Sequence, residues 1–414
     1  MHHTAIWIIS LLAISGVIIR PFKIAEAIYV VIGSALLIIL QLIKPADAWL
    51  GVIKGLDVYL FLTGMMLLAE TAREEKLFDW LAAHATVKAK GSSGRLFLLI
   101  YGVGILVTIF LSNDATAVVL TQAVAAAVKA AKVEKPLPYL LICAFIANAA
   151  SFVLPISNPA NLVIYGSHMP PLLHWLRQYA IPSIFSIAVT YFMLRFTQRN
   201  CFEERVKDNI AIPKLSTGGK TALLGIVVTA IVLLAASAAG IQLGLPTAIT
   251  GVATSLIVII RARKNPWVVI KGVSWSVLPL VAGLFVIVQA INQTGLISQL
   301  TVLLSHTAAR SAIGAAWASG GIIALVCNLM NNLPAGLIAG NVLQLSHTPE
   351  IVKSATLIGV DLGPNLSITG SLATILWLIA LRRENQTISA WDFLKLGSLI
   401  MTTALIAALA SLWI

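Results

Sequence analysis

Leu111-Ser112-Asn113-Asp114-Ala115-Thr116-Ala117 sits in the middle of an apolar stretch running from about residue 96 to 131. One membrane crossing needs about 20 apolar residues. This stretch is much longer, and its polar centre has no charged loop behind it. The simplest reading is a re-entrant hairpin: a helix enters the membrane, turns at depth, and a second helix returns. Irregular backbone at that depth is tolerated only where it is buried in protein or lines a wet cavity. A second stretch, 311–345, is broken in the same way at Asn331-Asn332.

Working outward, the rest of the chain has the same character. It has 414 residues, 59% hydrophobic and 11% charged, with mean hydropathy +0.94. Soluble domains carry about 25% charged residues. Spans are expected at about 4–19, 24–43, 50–72, 137–166 and 175–197. After a polar segment they resume at 221–240, 246–260, 273–292, 351–381 and 391–413. The fourth of each set is interrupted. Ala5 to Ile19 reads as a retained first span. The two series resemble each other: Lys54-Gly55 and Lys271-Gly272 open matching segments, Asn113 corresponds to Asn331 or Asn332, and Asn158-Pro159 to Gly370-Ser371. Five crossings plus one hairpin per half is an odd count, so the copies lie upside down relative to each other. The expected fold is therefore an all-α polytopic membrane protein of two inverted repeats, 1–198 and 221–414. Each repeat has five transmembrane helices, one interrupted, plus a re-entrant helical hairpin, and 199–220 is a cytoplasmic linker.

Charge placement agrees. On this plan 23 of the 28 Lys and Arg residues fall on one face, which the positive-inside rule makes cytoplasmic, with both termini outside. The net charge of +12 is thus read as topology and contact with anionic lipid, not nucleic acid. Arg73 to Lys90, with Leu77, Phe78, Trp80 and Leu81 among its charges, is expected to be an amphipathic interfacial helix, with Gly295 to Arg310 as its counterpart.

Four breaks fall in matched positions: 112–116, 155–161, 328–334, and 361–365 leading to 369–371. Asn and Ser are favoured helix N-caps and Pro suits a first turn. Four half-helices would therefore start at the midplane with their N–H groups aimed at one central site. The substrate-binding candidates are Asn113, Thr116, Asn158, Asn161, Asn331, Asn332, Asn365 and Ser371. Amides both donate and accept hydrogen bonds. With no Lys or Arg in any break, a neutral polyhydroxylated solute fits better than an organic anion. As(OH)3 and Sb(OH)3 are such solutes. Asp114 and Asp361 are the proton-coupling candidates, because ionisable groups inside a membrane are rare and functional. Desolvation favours the neutral form of Asp114 and a following helix N-terminus its charged form, and the sequence leaves both open. Cys143, Cys201 and Cys327 have no metal-ligand spacing, and no metal or other cofactor is implied. His168, His174, His306 and His347 fall near loops, which speaks against an intramembrane enzyme.

The runs Leu111–Ala117, Ser157-Asn158-Pro159-Ala160-Asn161-Leu162, Asn331-Asn332-Leu333-Pro334-Ala335 and Asp361-Leu362-Gly363-Pro364-Asn365 resemble those of the ArsB-type arsenite/antimonite permeases of the ion transporter superfamily. The resemblance spans essentially the whole chain. It implies efflux of As(III) and Sb(III) hydroxides from a bacterial cytoplasm across the inner membrane, driven by protons. It also implies an optional soluble ArsA-type ATPase partner, since this chain has no Walker A motif. The alternatives are a sodium/proton antiporter or an organic-anion carrier of the same superfamily. A channel is disfavoured: the single Asn158-Pro159-Ala160 triplet has no second copy.

Overall fold

The computed structural model describes residues 2–20, 24–166, 169–202, 205–207 and 210–414; His168 lies outside them. The first half contains α1 (His2–Ile19), α2 (Glu26–Ile39), α3 (Pro45–Lys54), α4 (Leu56–Glu74) and α5 (Leu77–Lys88). It continues with α6 (Ser93–Phe110), α7 (Asn113–Ala115) running through a π turn into α8 (Thr121–Ala130), then α9 (Leu137–Ala149), α10 (Pro159–Tyr165) and α11 (Leu172–Thr197). The second half repeats the order: α12 (Thr217–Ala238), α13 (Gly244–Ala262), α14 (Pro266–Gly272), α15 (Val277–Gln293) and α16 (Leu296–Arg310). It ends with α17 (Ala312–Met330), α18 (Asn332–Leu345), α19 (Glu350–Leu362), α20 (Leu372–Arg383) and α21 (Ala390–Ala410). Among the described residues, eight apolar helical segments are long enough to cross a membrane, and α3 with α4, bent by 47°, makes a ninth.

The halves match in detail. Ser92 and Ser311 cap the entering arms of the two hairpins by accepting from Arg95 N and Gly314 N. Lys76 and Gly295 both take left-handed backbone at the turn before α5 and α16. Packing is reciprocal: α2 lies against α15 as α13 lies against α4, and α11 lies against α21. In lipid no hydrophobic force drives helices together, so close fit and interhelical hydrogen bonds must do it. At the α4–α13 crossing a Cβ on Gly251 would run into the backbone of Gly64. Thr71 Oγ1 meets Ser255 Oγ at 2.8 Å on the same seam. Across the mirror seam, Ser34 Oγ donates to Gly283 O at 3.0 Å.

The structure adds two details to this plan. The third span of the first half is a bent pair, α3 and α4 at 47°, while in the second half Pro266–Gln293 makes one span with a short non-helical step in it. Pro45 and Pro266 start short helices at N1, and Gly55 and Val273–Ser276 interrupt the run before α4 and α15. The interfacial helices also differ from each other. α5 buries Leu77 and Phe78 against α6 and α8, whereas α16 buries only Ile297 and leaves Val302 and Leu303 exposed.

α9 and α19 are buried almost all round, and with α10, α20 and the hairpins they form the centre of the molecule. Leu11, Leu12, Ile231, Leu224, Ile184 and Ile249 stay exposed on the outer helices, as a lipid-facing surface requires.

Candidate functional site

Each break ends in a capped half-helix. Ser112 Oγ accepts from Ala115 N at 3.2 Å, Asn158 Oδ1 from Ala160 N at 3.0 Å, Asn331 Oδ1 from Leu333 N at 3.3 Å, and Ser371 Oγ from Thr374 N at 3.1 Å. A side-chain oxygen satisfies one of the free N–H groups at a helix start, and the rest point onward. Asn331 pays for its place with φ 74° and ψ 153°. That backbone region is nearly confined to glycine, and strain of this kind concentrates at functional sites.

The four tips meet around a cavity of about 10 Å³, room for about one water. Asn113, Asp114, Asn158, Asn332 and Ser371 supply its polar lining, with Leu62, Val277 and Leu333 among the apolar walls. Hydrogen bonds tie each hairpin to the interrupted helix of its own half. Ser157 Oγ donates to Ile109 O at 3.1 Å in the first. In the second, Asn332 N donates to Gly370 O at 2.9 Å and Thr369 Oγ1 to Asn328 O at 3.1 Å.

Further bonds cross between halves. Asn158 Nδ2 donates to Asp361 Oδ1 at 2.7 Å, and Asn148 Nδ2 to Asn365 Oδ1 at 2.9 Å. The mirror of the first contact is Ser371 Oγ donating to Asn148 Oδ1 at 3.4 Å.

A vestibule of about 430 Å³ leads to the tips, with Asp114, Ser112 and Pro159 at its inner end. Arg73, Lys271 and Arg383, all from the basic face, line it together with Glu70, which accepts from Arg73 Nε at 2.8 Å. A larger hollow of about 1080 Å³ at Lys54, Asp57 and Gln344 reaches Leu162 and Leu337 but none of the residues of the central cavity. Access to the tips is thus from the basic face in this conformation.

The remaining sequence candidates stand back from the cavity. Thr116 Oγ1 pairs with Thr108 Oγ1 at 2.8 Å inside the first hairpin. Asn161 Nδ2 donates to Ser151 O at 2.9 Å and braces the loop before α10. Asn365 is held by Asn148 and by Phe145 O. Asn331 faces a second small void beside Ile14, Leu280 and Pro334. Asp361 lies one hydrogen bond behind Asn158. Cys143 and Cys327 are buried, and neither borders the cavity.

Sequence reasoning passed over Asn148, which links α9 to Asn365, Ser371 and Thr374. A lone amide in an otherwise apolar helix was its signal. The basic lining of the vestibule was also missed, because those residues are far apart in sequence and read as loop charges.

This geometry can hold a small neutral solute by alternating donors and acceptors beside a single carboxyl group. It can also close: one water's room means that the tips must part to admit anything larger.

A profile of the citrate transporter family (CitMHS) matches residues 7–359. The chain belongs to that family. It is similar to the "Arsenical pump membrane protein" of Yersinia enterocolitica, 27% identical over 350 residues, 82% of each chain. It is similar to the protein of that name from Escherichia coli K12 as well, 26% identical over 415 residues, 92% of this chain and 91% of that one. In structure it is similar to the YdaH transporter of Alcanivorax borkumensis, with a TM-score of 0.57 and 16% identity over 88% of this chain and 86% of that one. That likeness shares the fold, whose topology was described as unusual. This citrate transporter family member is accordingly a multi-pass membrane transporter, not an enzyme.

Proposed function

We propose that the chain exports As(OH)3 and Sb(OH)3 from the bacterial cytoplasm across the inner membrane in exchange for protons, by alternating access. The observation that carries the reading is the lining of the central cavity: amides and a hydroxyl from four helix tips, one carboxyl at Asp114, and no basic residue. Asn113, Asn158, Asn332 and Ser371 bind the three hydroxyls, each amide donating to one oxygen and accepting from another. Asp114, at the junction of cavity and vestibule, carries the coupled proton. The arsenical-pump names of its relatives support the cargo.

In this reading the hairpins and interrupted helices move as a unit against α1–α4 and α12–α15. The basic face is cytoplasmic, so the vestibule is the entry route. An ArsA-type ATPase, where one is present, would dock on the same face.

A second reading, an organic-anion carrier, is favoured by the family's description and by Arg73, Lys271 and Arg383 in the vestibule. Uptake into inverted vesicles, acidic inside, separates the two. Uphill arsenite accumulation that collapses with the pH gradient and is unaffected by citrate supports the proposal. Citrate uptake without arsenite uptake would replace it.

A further inference from the structure

The hollow of about 1080 Å³ on the face away from the vestibule has walls that a polar cargo does not explain. Small-molecule sites enclose about 300–1,000 Å³, so it has room for a large ligand. Leu162 and Val163 of α10 and Leu337 of α18 form one wall, about one turn beyond the tips at Asn158 and Asn332. α4, α13 and α15 supply the facing wall. Five large apolar side chains, Ile53, Leu56, Ile241, Leu245 and Ile249, line the hollow while remaining 48% to 58% exposed. Covering one such side chain fully is worth about 1.5–3 kcal/mol. Water is therefore a poor occupant and hydrocarbon a good one.

Two opposite charges share this hollow and do not meet. Lys54 ends α3 and Asp57 lies in the first turn of α4. Among the described residues no ion pair joins them to each other or to a third group. Lys54 Nζ donates instead to the neutral Gln289 Oε1 at 3.1 Å, and Asp57 Oδ1 accepts from Gly244 N at 2.7 Å. An ammonium has three donors and a carboxylate two acceptor oxygens, so each keeps bonding capacity. The repeat shows that the combination belongs to one face. Lys54 and Asp57 lie 217 residues before Lys271 and Ser274, which both line the vestibule. There the lysine stands with Arg73, Arg383 and Glu70, and a hydroxyl occupies the place of the acid. The hollow instead offers one charge of each sign beside an apolar wall.

We infer that the hollow holds a phospholipid with an ethanolamine head group. Its phosphate pairs with Lys54 and its ammonium with Asp57, and an acyl chain lies along Leu162, Leu245, Ile249 and Leu337. Charge-assisted hydrogen bonds of both signs select this head. A choline head carries the same charges but has no N–H to give Asp57, and a glycerol head brings no cation. With the hairpins and interrupted helices moving as proposed above, α10 and α18 cannot advance into an occupied hollow, so the lipid favours the conformation open at the basic face. The binding itself depends neither on that motion nor on the identity of the cargo.

The test is native mass spectrometry of the full chain, delipidated in detergent and titrated with dioleoyl phospholipids bearing ethanolamine, choline or glycerol heads. The first lipid bound by wild type should prefer ethanolamine to choline by about fivefold, the upper end for a partly exposed ion pair. Asp57→Asn keeps an acceptor for Gly244 and loses the charge. It should bring ethanolamine down to the choline level. Lys54→Gln keeps a donor for Gln289 and should weaken all three lipids. Leu245→Trp fills the hollow and should do the same by exclusion. Equal affinity of wild type for ethanolamine and choline would overturn the inference, as would an ethanolamine preference that survives Asp57→Asn or full affinity in Lys54→Gln. So would glycerol-head binding as tight as ethanolamine, which would make Lys54 a simple anion contact.

Discussion

The two hairpin tips share a frame and differ in chemistry. Asn113 and Asn332, 219 residues apart, start the returning arms and line the same cavity from opposite sides. The next residue is Asp114 in one and Leu333 in the other. The first tip continues through a π turn at Thr116–Leu120, of a kind frequent at functional sites, while the second runs straight on from a strained Asn331. The interrupted helices differ in the same spirit, with Asn148 in one half and Asp361 in the other. Duplication supplies a symmetric cradle, which on the proposed function holds a neutral cargo. The two acids, one per half and not in equivalent places, break that symmetry, so the ionic chemistry of the two sides need not be the same.

The largest effect should come from removing what the tips share. Asn113→Ala and Asn332→Ala should each lower arsenite uptake into inverted vesicles by about fivefold to a hundredfold, since a lost polar partner in a dry site costs about 1–3 kcal/mol. Membrane abundance should be unchanged. If one variant transports normally, the cradle is one-sided and the mirror argument fails at the cargo. The acid should behave differently: Asp114→Asn is expected to abolish uphill uptake driven by an imposed pH gradient while leaving downhill arsenite exchange. A variant that still concentrates arsenite would move the proton to another group.

Much of this plan could be read before any coordinates. Asn113-Asp114 and Asn331-Asn332 fall in runs too long for one crossing, and periodic apolar segments with an odd count imply inversion. The four breaks are legible because helix starts need Asn, Ser and Pro. What was not legible depends on rotamers and cross-half contacts. Nothing local says that Thr116 turns toward Thr108, that Asn365 is spent on Asn148 and Phe145, or that Asn158 reaches a partner 203 residues away. The 47° bend before α4 was not legible either: Lys54-Gly55 marks where a segment opens, and a single glycine there does not give an angle.

The seams between halves offer a further contrast, in stability and not transport. Gly251→Val puts side-chain atoms into the backbone of Gly64, and overpacking of this kind costs about 1–3 kcal/mol or more. Its thermal midpoint should fall by several degrees. Gly102 faces open space, and Gly102→Ala should leave the midpoint unchanged or slightly higher, as alanine favours helix. A tolerant Gly251 would mean that α4 and α13 are not pressed together, and the reciprocal packing would lose its main support.

A smaller effect than at Gly251 should be found at Asn331, where the second tip departs most from the first. Its counterpart Ser112 caps from an extended backbone that any residue adopts, φ 177° and ψ 167°. Asn331 caps from a conformation that costs a non-glycine residue about 1–3 kcal/mol. Replacing an Asn cap by Gly forfeits only a few tenths of a kcal/mol, so Asn331→Gly should gain on balance about 1 kcal/mol. Its Nδ2 is buried without a partner, which adds to the expected gain. The midpoint should rise by a few degrees. If it falls, Asn331 does more at the tip than cap a helix. If it rises while the transport rate drops, the strain is held for use: the tip must leave this conformation when the site opens, and a relaxed tip would leave it more slowly.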